Sequence, residues 1–415
     1  MTVSLASSSN ASFRWWHDAP ASAKRALLAA GLGWMLDSFD VMLYSLVLAS
    51  LMTDLGIDKP TAGLLGSVTL VASAAGGLLF GVIADRFGRT KALMGSILTY
   101  SVFTAACGLS QNAAQLAVFR ICLGIGMGGE WASGASLVSE SWPREHRGKA
   151  LGLMQSAWAI GYGAAAIVTW LVLPRYGWRA VFFVGVIPAL LTMWIRRYVE
   201  EPAIWKTRPR TGQSGFRQLF APGMAGLTVA LTIMNACTLF AWWGFNLWLP
   251  GYLSLPAASG GVGLRPTTMS GFVVAMQVGM WLGYVTFGYV SDQIGRRRAY
   301  VTYLIAAAAL MLVYVSVRSP LVLLLLGPFV AFFATGYFSG FGAVTAEIYP
   351  TAIRATAQGL TYNIGRIASA VAPFAVGRLA QTQGFGAALS ICSAAFLLAA
   401  VCWIWIPETR GKALA

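Results

Sequence analysis

Residues 81–91 read GVIADRFGRTK, and residues 288–298 read GYVSDQIGRRR. Gly81, Asp85, Gly88 and Arg89 recur as Gly288, Asp292, Gly295 and Arg296, an offset of 207 residues. The same offset carries Glu140, Pro143, Arg147 and Gly152 onto Glu347, Pro350, Arg354 and Gly359, and Glu201 onto Glu408. Matches of charge and glycine in one register mark a duplication: the chain is two copies of one unit. Each copy of the opening stretch links two long apolar runs.

Those runs decide the environment. Of 415 residues, 57% are hydrophobic and 10% charged, against roughly 25% charged in soluble domains; mean hydropathy is +0.68. Runs of about 20 apolar residues cross a ~30 Å hydrocarbon core, and twelve are present, at 26–53, 61–84, 91–110, 114–139, 149–173, 178–198, 223–249, 267–290, 299–317, 320–347, 355–380 and 384–406. They are apolar on all sides, which favours helices over an alternating barrel. The expected fold is therefore an all-α integral membrane protein, twelve transmembrane helices in two six-helix pseudo-symmetric bundles. Expected divisions are a tail at 1–25, a first bundle at 26–198, a polar linker at 199–218, a second bundle at 219–406 and a tail at 407–415. Parallel six-helix repeats are a transporter architecture, with substrate bound between the halves near the midplane.

The net charge of +15 does not mark a nucleic-acid binder, because Lys and Arg fall in short clusters between apolar runs. Lys59, Arg175, Arg179, Arg265, Arg318 and Arg378 fall on one side of the membrane and Arg120 and Arg366 within helices; the rest of the 29 Lys and Arg lie on the other side. That bias predicts a multi-pass protein of the plasma (inner) membrane with both termini cytoplasmic. The five cysteines, all in apolar segments, read as small packing residues.

GVIADRFGRTK and its second copy resemble the signature between helices 2 and 3 of the major facilitator superfamily. RICLGIGMGGE (120–130) resembles its helix 4 pattern, and PETRGK (407–412) its sugar-porter-type ending. The resemblance covers nearly the whole chain and implies the major facilitator fold. Within that family, GMGGEW (126–131) with SESWPREHRGKALGLMQS (139–156) is similar to bacterial proton-coupled carriers of organic acids of the sialate, monocarboxylate and aromatic-acid types, and AWWGFNLWLP (241–250) to the aromatic-acid and nicotinate carriers.

Charge within the spans is costly and marks function. Asp37 and Asp40 lie one turn apart on the first helix. Asp40 is roughly 21 Å from its inner end and Arg120 roughly 9 Å from the outer end of helix 4, so the two fall at one depth and an Asp40–Arg120 pair is expected. The resemblance agrees, since proton-coupled sugar porters place a proton-binding Asp beside this Arg. The pair serves proton coupling or is a static ion pair, and either Asp37 or Asp40 titrates. Glu130 relays protons or packs as a neutral acid. Arg366, about 16 Å into helix 11, either grips a substrate carboxylate through two hydrogen bonds or pairs with a first-half carboxylate and locks a gate. Tyr362 and Asn363 share its face. Gln155, Tyr162, Asn246, Gln277 and Trp281 are further expected substrate contacts, with Trp158, Trp242, Trp243, Phe245 and Trp248 as aromatic neighbours.

Asp85, Arg89, Glu140 and Arg147, with Asp292, Arg296, Glu347 and Arg354, read as a duplicated cytoplasmic gate that links helix ends when the carrier opens outward and breaks when it opens inward. The glycines of 124–129 follow a helix, not a strand, and read as close helix packing rather than a nucleotide loop. No metal site, cofactor, nucleotide or nucleic-acid partner is expected, and no enzyme activity. The expected function is proton-coupled symport of a small organic anion by a monomer. A sugar or polyol porter and a drug:proton antiporter are the alternatives.

Overall fold

The computed structural model describes residues 14–143, 146–201, 219–350 and 354–410; for Arg14, Trp15, Asp85, Ala132, Arg147, Gly148, Ala346, Arg354, Ala355 and Thr356 it describes the backbone alone. All regular structure among them is helical. Each backbone N–H in hydrocarbon needs a partner, and a helix supplies it internally. The first half contains α1 (Ala21–Leu55), α2 (Lys59–Phe87), α3 (Arg89–Cys107), α4 (Ala113–Ser141), α5 (Arg147–Val184) and α6 (Ala189–Tyr198). The second contains α7 (Ala225–Ser254), α8 (Pro266–Ile294), α9 (Arg296–Ser316), α10 (Pro320–Thr335), α11 (Phe341–Ile348), α12 (Arg354–Ser369), α13 (Ala372–Thr382) and α14 (Gly384–Cys402).

Eight helical stretches among the described residues are long and apolar enough to cross a membrane. One of them, Lys149–Tyr198, is two passes joined across Gly177, whose φ of 75° breaks the helix after Pro174. The other passes are α3, α4 and the α12–α13 pair; buried charge in α4 and α12 dilutes their hydropathy. The tenth pass is interrupted by a 3-10 turn at Gly336–Gly340, and the eleventh breaks between Ser369 and Ala372. The first helix starts at Ala21 rather than 26, and the last ends at Cys402 rather than 406. Residues 202–218 of the linker and 411–415 of the tail lie outside the described residues.

The halves meet along α1 with α7, α2 with α13 and α5 with α8. Their polar contacts cluster on the face opposite the duplicated Gly-Arg loops. There Lys59 Nζ donates to the carbonyls of Ser259 (2.8 Å) and Ala380 (3.3 Å). Ser45 Oγ reaches the carbonyls of Asn246 (2.9 Å) and Leu247 (2.7 Å), and the Phe374 N–H donates to Ser67 Oγ (3.2 Å). Nearer the basic face, Trp131 stacks on Tyr362 across the halves, ring centres 5.0 Å apart. The chain is thus sealed on one face and joined by an aromatic contact toward the other.

Small residues permit this packing. Gly124 lies against the Thr69 carbonyl and Gly128 against that of Ser73, so alternate glycines of α4 seat α2, while Gly126 seats Tyr100 of α3. Gly161 of α5 presses on the Met35 carbonyl of α1. A methyl group at Gly161 has no room there, and backbone cannot swing away as a side chain can. Gly161→Ala is expected to cost about 1–3 kcal/mol, read as a lower Tm of the detergent-purified protein; an unchanged Tm would contradict this packing.

Candidate functional site

Among the described residues, five charged side chains are buried away from the helix ends: Asp37, Asp40, Arg120, Glu130 and Arg366. They divide into two groups. Arg120 lies over the Tyr44 ring, 3.8 Å from guanidinium carbon to ring centre, and its Nε donates to the Leu65 carbonyl at 3.1 Å. It forms no ion pair with Asp40, whose two carboxylate oxygens have no hydrogen-bond partner. The expected Asp40–Arg120 pair is therefore not formed. Tyr44 stands one turn beyond Asp40 on α1 and occupies the guanidinium face, so equal depth does not become contact.

The second group spans the halves. Asp37 of α1, Glu130 of α4 and Arg366 of α12 lie within electrostatic reach of one another, yet no ion pair joins them. Asp37 Oδ2 and both Glu130 oxygens lack partners, and the Arg366 guanidinium makes no hydrogen bond with a described residue. Glu130 is wedged against Gly33 of α1, where an added Cβ would stand 2.6 Å from Oε1. Tyr100 of α3 donates to the Gly33 carbonyl at 3.3 Å, and Tyr362 stands close to Arg366 and Asp37. A guanidinium faces two carboxylates without being consumed by either.

Beside this cluster is an aromatic run that also crosses the halves. Trp34 and Trp158 are 4.6 Å apart between ring centres, Trp158 and Trp242 5.6 Å, and Trp242 and Trp243 4.8 Å. The indole N–H groups of Trp34, Trp158 and Trp242 are buried without partners, as are the side-chain carbonyls of Gln155 and Gln277. Buried donors and acceptors left unpaired are expensive, and a polar ligand would satisfy them.

Other expected contacts are already committed. Tyr162 donates to the Asn246 carbonyl (3.4 Å) and Asn246 Nδ2 to that of Trp242 (3.1 Å). Asn363 Nδ2 binds the Gly359 carbonyl (2.9 Å). Trp281 is 39% exposed and belongs to the outward stripe of Val278, Leu282 and Val285, so it points away from the interior. Trp34, Tyr44, Tyr100 and Trp131 escaped the sequence reading. Trp34 and Tyr44 stand three and four residues from Asp37 and Asp40, a spacing that places them on the same helix face.

The duplicated loops have a second surprise. Arg89 grips Glu140 through Nε (3.3 Å) and Nη2 (3.0 Å), and Arg296 grips Glu347 at the same two distances. Arg296 also pairs with Asp292 at 2.5 Å. These partners all lie within one half. Within each bundle the network thus ties the start of one helix to the end of another. The side chains of Asp85, Arg147 and Arg354 lie outside those described.

The repeat pair Glu201 and Glu408 completes each brace. Glu201 accepts from the N–H of Arg89 (2.7 Å) and Thr90 (3.0 Å). Glu408 accepts from those of Arg296 (2.9 Å) and Arg297 (3.1 Å). Gly88 and Gly295, at φ of 118° and 98°, leave the space each carboxylate fills. Burial alone would push the Glu408 carboxyl up, but four backbone N–H donors outweigh it and hold it below the ordinary 4.5. Glu408→Ala is expected to lower stability by about 1 kcal/mol, as a lost helix cap does. A depressed carboxyl stabilises fully above its unfolded value and loses that contribution as pH falls through its folded value. The Tm gap between wild type and Glu408→Ala is therefore present at neutral pH and closes as pH falls through the lowered carboxyl value; a gap that does not change with pH would rule out a role for the charge.

A Major Facilitator Superfamily model matches residues 30–264 and 253–415. The chain is 34% identical to a putative metabolite transport protein of Haemophilus influenzae, over 94% of this chain and 97% of that one. It is 33% identical to the cis,cis-muconate transport protein of Acinetobacter baylyi, over 91% and 92%. The crystal structure of a D-xylose-proton symporter superposes with a TM-score of 0.79 at 22% identity, covering 95% of this chain and 100% of the other; at that identity the likeness concerns the fold.

Proposed function

The chain belongs to the major facilitator superfamily, and from that premise we propose that it imports a small organic anion, a planar carboxylate above all, together with protons by alternating access. The observation that carries the reading is Arg366: a buried guanidinium at the junction of the halves, held near Asp37 and Glu130 but paired with neither. A substrate carboxylate binds it through two parallel hydrogen bonds, and the Trp34–Trp158–Trp242 run offers a flat face and free N–H donors to a conjugated body.

The coupling follows from charge balance. Without substrate, one ionised carboxylate of the Asp37–Glu130 pair offsets Arg366 and the other holds a proton. An arriving carboxylate adds a negative charge where desolvation makes excess charge expensive. A proton on the carboxylate still ionised restores balance, so anion and proton enter together. Asp40 lies one turn from Asp37 and within its reach, while Arg120 rests on Tyr44. The relative named for cis,cis-muconate, a conjugated dicarboxylate, supports the substrate class.

In this reading the basic loops and both termini are cytoplasmic, the membrane is the plasma (inner) membrane, and the protein works as a monomer. The contacts sealing the opposite face then close the external side, an inward-facing arrangement. Uptake of labelled cis,cis-muconate and benzoate into proteoliposomes is expected to rise when the exterior is acidified. Uptake of either acid that ignores the gradient would sink the symport claim, and transport of sugars in place of acids would overturn the substrate class.

A further inference from the structure

Between α9 and α14, at the basic end of the second half, lies a groove of about 930 Å³. Val301 and Ile305 form one wall, Leu397 and Ile404 the other, and Arg297 and Arg298 stand at its mouth. Ile305, Leu397 and Ile404 are exposed, so in a membrane protein the groove opens on lipid. Ile305 is nine residues into α9, roughly 13 Å along its axis, which carries the groove from the headgroup level into the hydrocarbon.

The arginines at the mouth differ from their neighbour. Arg296 is spent on Glu347 and Asp292. Glu408 is committed to main-chain N–H groups. The side chains of Arg297 and Arg298 are exposed and make no hydrogen bond or ion pair with a described residue. The repeat sharpens the contrast. Trp403 and Ile404, which line the groove, correspond at the 207-residue offset to Arg196 and Arg197, and Arg297 to Thr90. The first half thus lacks the pattern of apolar wall beneath paired cations.

We propose that this groove holds an acidic glycerophospholipid, its phosphate on Arg297 and Arg298 and an acyl chain along the apolar walls. Basic clusters at the ends of membrane helices attract anionic headgroups, and guanidiniums take phosphate through parallel hydrogen bonds. The apolar walls sit within the spans, out of reach of a soluble partner. The site stands apart from the transport pathway and does not depend on the substrate.

The test is a titration of the detergent-purified full chain with phosphatidylglycerol and with phosphatidylcholine of the same acyl chains, retained lipid being counted by native mass spectrometry. Phosphatidylglycerol is expected to bind one molecule per chain and phosphatidylcholine far more weakly. The double variant Arg297→Gln, Arg298→Gln is expected to weaken phosphatidylglycerol roughly thirtyfold, about fivefold per arginine. Val401→Trp, which fills the groove and keeps both arginines, is expected to weaken it too, whereas Lys91→Gln on the same face of the first half leaves it unchanged. Equal retention of the two lipids, wild-type retention by the double variant or by Val401→Trp, or an equal loss in Lys91→Gln would each overturn the site.

Discussion

A proteoliposome carrying Asp37→Asn is expected to exchange substrate across its membrane yet fail to concentrate it. Each proton moved down a gradient of one pH unit supplies about 1.4 kcal/mol, a tenfold concentration ratio. Asparagine keeps the size and hydrogen bonding of Asp37 but cannot take up the proton, so that ratio collapses toward one. Counterflow of labelled against unlabelled substrate needs no net proton movement and survives. Asp40→Asn is expected to do less, because Asp40 is not among the carboxylates within reach of Arg366, whereas Asp37 and Glu130 are. Measuring both activities on the same preparation separates uncoupling from misfolding. Uphill accumulation by Asp37→Asn at the wild-type level would remove Asp37 from the proton path.

Arg366→Gln is expected to produce the opposite pattern, losing exchange and accumulation together. Truncating one member of a buried charged pair costs about 2–5 kcal/mol, so the apparent affinity for a carboxylate falls at least roughly thirtyfold. The loss has two sources: the substrate forfeits its two hydrogen bonds, and Asp37 and Glu130 lose their nearby cation. Arg366→Lys restores charge without the planar fork and is expected to recover only part of the affinity. Binding measured by tryptophan fluorescence reads this directly, since Trp34, Trp158 and Trp242 line the neighbouring run. Unaltered carboxylate affinity in Arg366→Gln would place the anion elsewhere.

The fold was legible because two signals agreed: long all-round apolar runs and a charged repeat in one register. The site was legible in part. Rise per residue fixes how deep a side chain sits, and depth located Arg366 near the midplane. It does not fix which way the side chain turns, and the Asp40–Arg120 expectation failed on that point, with Tyr44 in the intervening space. Trp281 failed for the same reason. It is four residues from Gln277, close enough to share its neighbourhood, but it falls on the stripe of Val278, Leu282 and Val285 that faces outward. The gate residues were found from their duplication, yet duplication says nothing about whether partners belong to one half or two. Glu201 and Glu408 stood in register, but their work lies in main-chain N–H groups, which no sequence motif records.

Those two glutamates bear on how the protein is made. Each reaches back from the last residues of its bundle to the start of that bundle's third helix, α3 or α9. Neither bundle can lock until its sixth pass has left the ribosome. The first lock closes on Glu201, whose partners Arg89 and Thr90 belong to the same bundle and need nothing from the second. The second, on Glu408, closes only after the sixth pass of its own bundle has been made. The two closures are therefore separate events, each made from residues of one bundle alone.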